Sequence, residues 1–170
     1  MIEIDTAANI AEIVGGMAIL VSLIYVGYQI RLSNQIAKAE AIREVTNTYD
    51  LHLSHLQLPK LGQITRRGLS EFNALSADEQ SVFNGYHYPL LNQIETVFEM
   101  RDLKLIPEHQ YDAWMSVGVS LICTPGGREW WIHAQKTLSP VFADALNKLL
   151  HDDNYAKVPF TDLWPWLAEE

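Results

Sequence analysis

The stretch "EIVGGMAILVSLIYVGYQIR", residues 12–31, decides how the chain is read. Glu12 opens it, Arg31 closes it, and no charge lies between. Coiled as a helix at about 1.5 Å per residue, Ile13 to Ile30 extends roughly 27 Å, close to the roughly 30 Å of a bilayer's hydrocarbon layer. The uncharged run from Ala7 to Ala11 stands just before it and can lengthen it. A signal peptide is a poor match. Its leading region should be basic, yet Glu3, Asp5 and Glu12 are the charges here, and no small-x-small cleavage site follows the apolar run. A core helix of a soluble oligomer is the other reading. Against it, Ile13, Val14, Met17, Ile19, Leu20, Val21, Leu23, Ile24 and Val26 point in every direction, so no polar side remains for water. The stretch therefore predicts a transmembrane helix over residues 13–30. Tyr25 and Tyr28 fall at interface depth and Arg31 serves as the anchor.

The flanks predict an orientation. Arg31, Lys38 and Arg43 follow the span and no base precedes it. The positive-inside rule puts a short N-terminus, residues 1–12, outside and everything after Arg31 in the cytoplasm.

One side of the span differs from the rest. Ala7, Ala11, Gly15, Ala18 and Ser22 recur every three or four residues and line one stripe. Lipid offers little hydrophobic drive between helices, so association there relies on close backbone approach over small residues. The stripe predicts a contact face for a second copy or for another transmembrane protein. Glu12 at its outer edge reads as an interfacial acid in water.

Composition narrows the rest. A chain of 170 residues with 48% hydrophobic content is one domain's worth of core. Twelve Lys and Arg stand against 21 Asp and Glu, a formal charge of −9, which argues against nucleic acid as a partner. Cys123 is the single cysteine, so no intrachain disulfide forms, and it reads as a small buried hydrophobe.

Beyond Arg31 the pattern is helical throughout. Ile36, Ala39, Ile42, Val45, Tyr49, Leu53 and Leu56 recur at helical spacing with no Gly or Pro before Pro59, so the span runs on as one long helix. A short helix with Leu61, Ile64 and Leu69 follows Pro59. In "LSADEQ", Ser76 and Glu79 have capping-box spacing and start a helix reaching about Leu103. Phe83, His87, Leu90, Ile94, Val97 and Phe98 are its buried side; Tyr88, Asn92, Glu95, Glu99 and Asp102 are its wet side. "LIPEHQYDAW" predicts a helix with Pro107 at its first position, burying Tyr111, Trp114, Met115, Leu121 and Ile122. "TPGG" at 124–127 predicts a turn, and a short helix then carries Trp130, Trp131 and Ala134. "SPVF" opens the last helix with Ser139 as cap; Val141, Phe142, Ala145, Leu146, Leu149 and Leu150 form its stripe. The expected fold is all-α: one transmembrane helix continuing into an irregular cytoplasmic bundle of about five helices, residues 31–151. The tail, residues 152–170, is broken by two prolines and reads as extended. It is rich in aromatics, and Phe160, Trp164 and Trp166 are its candidates for docking on a partner or folding back.

Catalytic chemistry is faint. Glu95 and Glu99, one turn apart, with His87 or His133, are the candidates for a metal or for acid–base work. The Glu-x-x-His pairs of a di-iron bundle are missing, and His87 falls on another face than Glu95. His52 and His55 have metal-ligand spacing without a third partner. "PGGREWW" offers helix N-terminal donors and Arg128 to an anion, without P-loop spacing. No G-x-S-x-G occurs. No catalytic residue, metal or cofactor is assigned.

Taken in order, "AEIVGGMAILVSLIYVGYQIR", "LSADEQSVF", Glu95 in "ETVFE", Trp114 in "AWMS", "TPGGREWW" and "SPVF" carry a resemblance. The chain resembles a large, uncharacterised bacterial family of small proteins with one N-terminal membrane helix and a helical cytoplasmic domain. The resemblance covers roughly residues 8–150; the tail after Asp152 lies outside it, and "LSNQIAKAE" departs from the Asn-Thr pattern expected after the span. It implies the architecture and a place in the bacterial inner membrane, and no chemistry. The functional expectation is association, with membrane lipid and with a second copy or another membrane protein, as a self-assembling scaffold or accessory subunit. The alternatives are a metal-binding or enzymatic bundle, and an oligomeric pore lined by the stripe with Gln29 and Glu12.

Overall fold

The computed structural model describes residues 2–55 and 58–163; within the first helix the side chains of residues 2–8, 50–53 and 55 lie outside the description. The described residues hold seven α-helices and no strand: α1 Ile2–His55, α2 Pro59–Ser70, α3 Ala77–Asp102, α4 Glu108–Ile122, α5 Pro125–Ala134, α6 Pro140–His151 and α7 Phe160–Leu163. The all-α expectation, with a long apolar helix first, holds. The chain divides into two units, Met1–Glu40 and Ala41–Glu170. The boundary falls inside α1, which runs unbroken through Arg31 as the absence of Gly and Pro after the span predicts.

In the second unit the end of α1 packs through its apolar spacing. Val45 is buried with Val97 of α3 and Ile106, and Ile42 and Trp114 close over them. Tyr49 stands edge-on to Trp114 with ring centroids 5.0 Å apart, and the Gln93 amide donates to the Val45 carbonyl at 3.3 Å. The main core is Phe83, Leu91 and Ile94 of α3, Leu121 of α4, Trp130 of α5, and Phe142 and Leu146 of α6, each sealed from solvent or nearly so.

The start of α3 is the predicted capping box. Ser76 Oγ accepts the Glu79 N–H at 3.3 Å, and Glu79 Oε2 accepts the Ser76 N–H at 3.0 Å. Arg67 of α2 adds an ion pair to the same carboxylate at 2.7 Å. The Ser76 backbone N–H and then the Arg67 guanidinium hold the Glu79 carboxyl below the usual carboxylate range. A carboxylate with a depressed folded value contributes stability that is complete above its unfolded value and is lost as pH falls through the folded one. Glu79→Gln is therefore expected to lower the urea midpoint of the full chain near pH 7 and to matter less near pH 3, because lowering the pH draws the wild-type carboxyl toward its neutral form. An equal loss at both pH values would contradict this account.

Five local expectations are corrected. Pro107 is the N-cap of α4 and not its first helical residue: its backbone is extended, and its carbonyl accepts from Gln110 and Tyr111. Ser139 stands at the N-cap of α6 without capping through its side chain; its own N–H donates to Glu95 Oε1 at 2.7 Å. Val141, assigned to the buried stripe of α6, is exposed, and Ala143 is buried in its place. The tail is not extended throughout, because Pro159 starts the single turn of α7 by accepting from Asp162 at 2.9 Å.

The fifth has the largest consequence. Gly126 and Gly127 are not a turn; they are the first turn of α5. Thr124 caps that helix, its Oγ1 accepting the Gly127 N–H at 3.0 Å while its own hydroxyl donates to the Leu121 carbonyl at 2.9 Å. Gly127 lies against the Leu121 carbonyl at the end of α4, and Gly126 is there because α5 crosses α2 backbone to backbone. A Cβ on Gly126 would overlap the Gly68 carbonyl and stand 2.8 Å from the Phe72 nitrogen. Only glycine permits that approach.

Candidate functional site

The first unit presents the apolar surface that the sequence describes. From Ile13 to Tyr28 the large apolar side chains are each 48–73% exposed, on all sides of the helix. Soluble chains rarely expose apolar patches of more than a few hundred Å². This is the one helix among the described residues long and apolar enough to cross a membrane, and no residue of its apolar 18-residue window is buried. The chain is consistent with a single-pass membrane protein.

Of the small-residue stripe, Ala11, Gly15, Ala18 and Ser22 lie on this exposed helix. The Ala7 side chain is outside the described residues. A Cβ on Gly15 would meet nothing within 4 Å, so the backbone there is open to approach. Ser22 Oγ donates back to the Ala18 carbonyl at 2.8 Å, which satisfies the hydroxyl within the helix and leaves its oxygen free to accept across an interface.

The weaker candidates do other work. His87 is buried in an aromatic box of Phe83, Tyr86 and Trp130, with ring centroids 4.3, 4.8 and 6.1 Å away. Glu95 is half-buried and holds the first N–H of α6, so it ties α3 to that helix. Glu99 is exposed on α3. His133 is exposed on α5, beside a shallow depression shared with Trp130 and Asn84. Among the described residues no three His, Cys, Asp or Glu side chains stand together as metal ligands.

The tryptophan pair ties α5 to its neighbours. The Trp130 indole N–H donates to Asn84 Oδ1 of α3 at 3.0 Å. That of Trp131 donates to Asn147 Oδ1 of α6 at 2.8 Å. The proposed anion site at the start of α5 is filled by protein, since Thr124 takes the Gly127 donor and α2 lies against Gly126.

No family model, curated protein or solved structure matches the chain. What can be said of the tail rests on its own packing. Phe160 is 3% exposed and belongs to the main core, so the first of the three docking candidates is used within the chain. Trp164 and Trp166 lie outside the described residues.

One feature of the second unit escapes the sequence pattern. Arg128, His151 and Lys157 come from three segments and line a single cavity with Cys123 at its floor. Burial pushes the Cys123 thiol up; Arg128 and Lys157 pull it back, and Asp162 adds to the rise.

Proposed function

We propose that the chain is a single-pass protein of the bacterial inner membrane that works by association, as a self-assembling scaffold or as an accessory subunit of a membrane complex. The observation that carries this reading is the first unit's helix, apolar and exposed on every side, with one stripe of small residues open to another backbone. A span of this kind is an anchor on any side, and a contact element on the side where Gly15, Ala18 and Ser22 let a second helix come close. The bases Arg31, Lys38 and Arg43 after the span support an outside N-terminus and a cytoplasmic main domain. The ordered landmarks that resemble those of the bacterial family support the same placement.

Chemical crosslinking in native membranes tests the association. The wild type is expected to give a dimer, a larger homo-oligomer or a defined adduct with another membrane protein. Gly15→Leu and Ala18→Leu, which bulk out the stripe without removing apolar area, are expected to abolish most of it, because helix pairs in lipid depend on close backbone contact. A chain that stays monomeric, and is unchanged by both substitutions, removes the basis for the stripe as a contact face.

A further inference from the structure

The second unit holds an open cavity of ≈ 320 Å³ between the end of α4, the start of α5, the end of α6 and the segment before α7. That volume lies at the small end of ligand pockets, which run about 300–1,000 Å³. Its floor is apolar: Ile122, Cys123 and Trp131, with Leu150 at one side. The polar groups of the floor are already satisfied. The Trp131 indole N–H is held by Asn147, and Asn147 Nδ2 donates on to Gln135 Oε1 at 3.1 Å. The floor is thus fixed before any ligand arrives, which spares a ligand the cost of ordering it.

The remainder of the lining is basic. Arg128, His151 and Lys157 line the cavity and no Asp or Glu does, in a chain of formal charge −9. Among the described residues neither Arg128 nor Lys157 makes a side-chain hydrogen bond or an ion pair. The nearest acid felt at the floor is Asp162, whose influence on the Cys123 thiol is smaller than that of Arg128. His151 Nδ1 sits 2.7 Å from the Asn147 carbonyl. A carbonyl only accepts, so Nδ1 carries the hydrogen, and Nε2 is the atom left to face a ligand. Three basic groups around an apolar floor are complementary to one chemistry, a negative head on an apolar body.

We propose that this cavity binds a small organic carboxylate, its head between Arg128, Lys157 and His151 and its apolar body against Trp131, Leu150 and Cys123. Arg supplies the planar fork that suits a carboxylate, and Lys a point charge beside it. The cavity belongs wholly to the second unit, so the inference is independent of how the membrane helix associates.

The test uses the full chain in a zwitterionic detergent and 3-phenylpropanoate as the probe. Calorimetric titration is combined with the ¹H–¹⁵N resonance of the Trp131 indole. Saturable binding that moves this resonance is expected. 3-Phenylpropanol and 3-phenylpropylammonium, of the same shape, are expected to bind at least about tenfold more weakly, since a charge-assisted pair contributes on that scale. Arg128→Gln with Lys157→Gln should weaken the carboxylate by about tenfold or more while leaving the thermal midpoint unchanged, because neither group supports the fold. Leu150→Phe, which narrows the cavity from its side, should weaken all binding to the site. Equal affinity for the alcohol, no saturable effect at Trp131, or binding indifferent to the double substitution would each overturn the proposal.

Discussion

Gly126→Ala is expected to unfold the helical unit, residues 41–170. The added methyl has no direction in which to yield. It would overlap the Gly68 carbonyl of α2 and press on the Phe72 nitrogen, and both are backbone atoms fixed by their own helical turns. Overpacking against side chains costs typically about 1–3 kcal/mol, and against backbone the figure belongs at or above the upper end. That is a large part of the roughly 5–15 kcal/mol that holds a domain folded. Urea unfolding of the full chain in detergent, followed by circular dichroism and tryptophan emission, measures it. Gly85→Ala is the matched control. Gly85 lies within α3, and a Cβ there would meet nothing within 4 Å. It should gain about 0.5–1 kcal/mol from the better helix former. If both variants melt with the wild type, α5 does not cross α2 as described.

The second large effect concerns the first unit. Leu20→Arg combined with Leu23→Arg is expected to release the chain from membranes. Each arginine near the middle of a span costs about 2.5–3.5 kcal/mol on insertion scales, so the pair costs roughly 5–7 kcal/mol. Both leucines are more than 60% exposed and touch no core, so the helical unit should keep its own melting behaviour. Resistance to alkaline extraction reports the outcome. A doubly substituted chain that remains as resistant as the wild type would mean that the apolar helix is not what holds the protein to lipid.

Much of this architecture is legible in the sequence because it rests on local rules. The charge-free run, the helical period through Val45 and Tyr49, Pro59 at the first position of α2, and the Ser76–Glu79 box each depend on residues within a few positions of one another. What was illegible depends on distant partners. "TPGG" reads as a turn until Gly68 is known to lie against it; then Gly126 becomes the condition for a helix crossing. Glu95 reads as a wet acid because helical period places it on the outer stripe. Its role appears only when the Ser139 N–H arrives from 44 residues further on. The cavity shows the same limit. Arg128 stands out in "PGGREWW", but His151 and Lys157 are ordinary surface bases along the chain, and no spacing rule gathers the three. Of the candidate sites, the exposed helix could be read in advance, and the lining of the cavity could not.

The ten-residue helix α5 has a further consequence, in the order of folding events. Its first turn lies against α2, Trp130 bonds to α3, and Trp131 bonds to α6. These neighbours come from both sides of it along the chain. A helix this short is marginal alone in water, so α5 forms only as its neighbours do. It cannot finish docking before α6 has left the ribosome, and once docked it cannot open by itself. Its amide exchange is therefore expected to follow the opening of the whole unit.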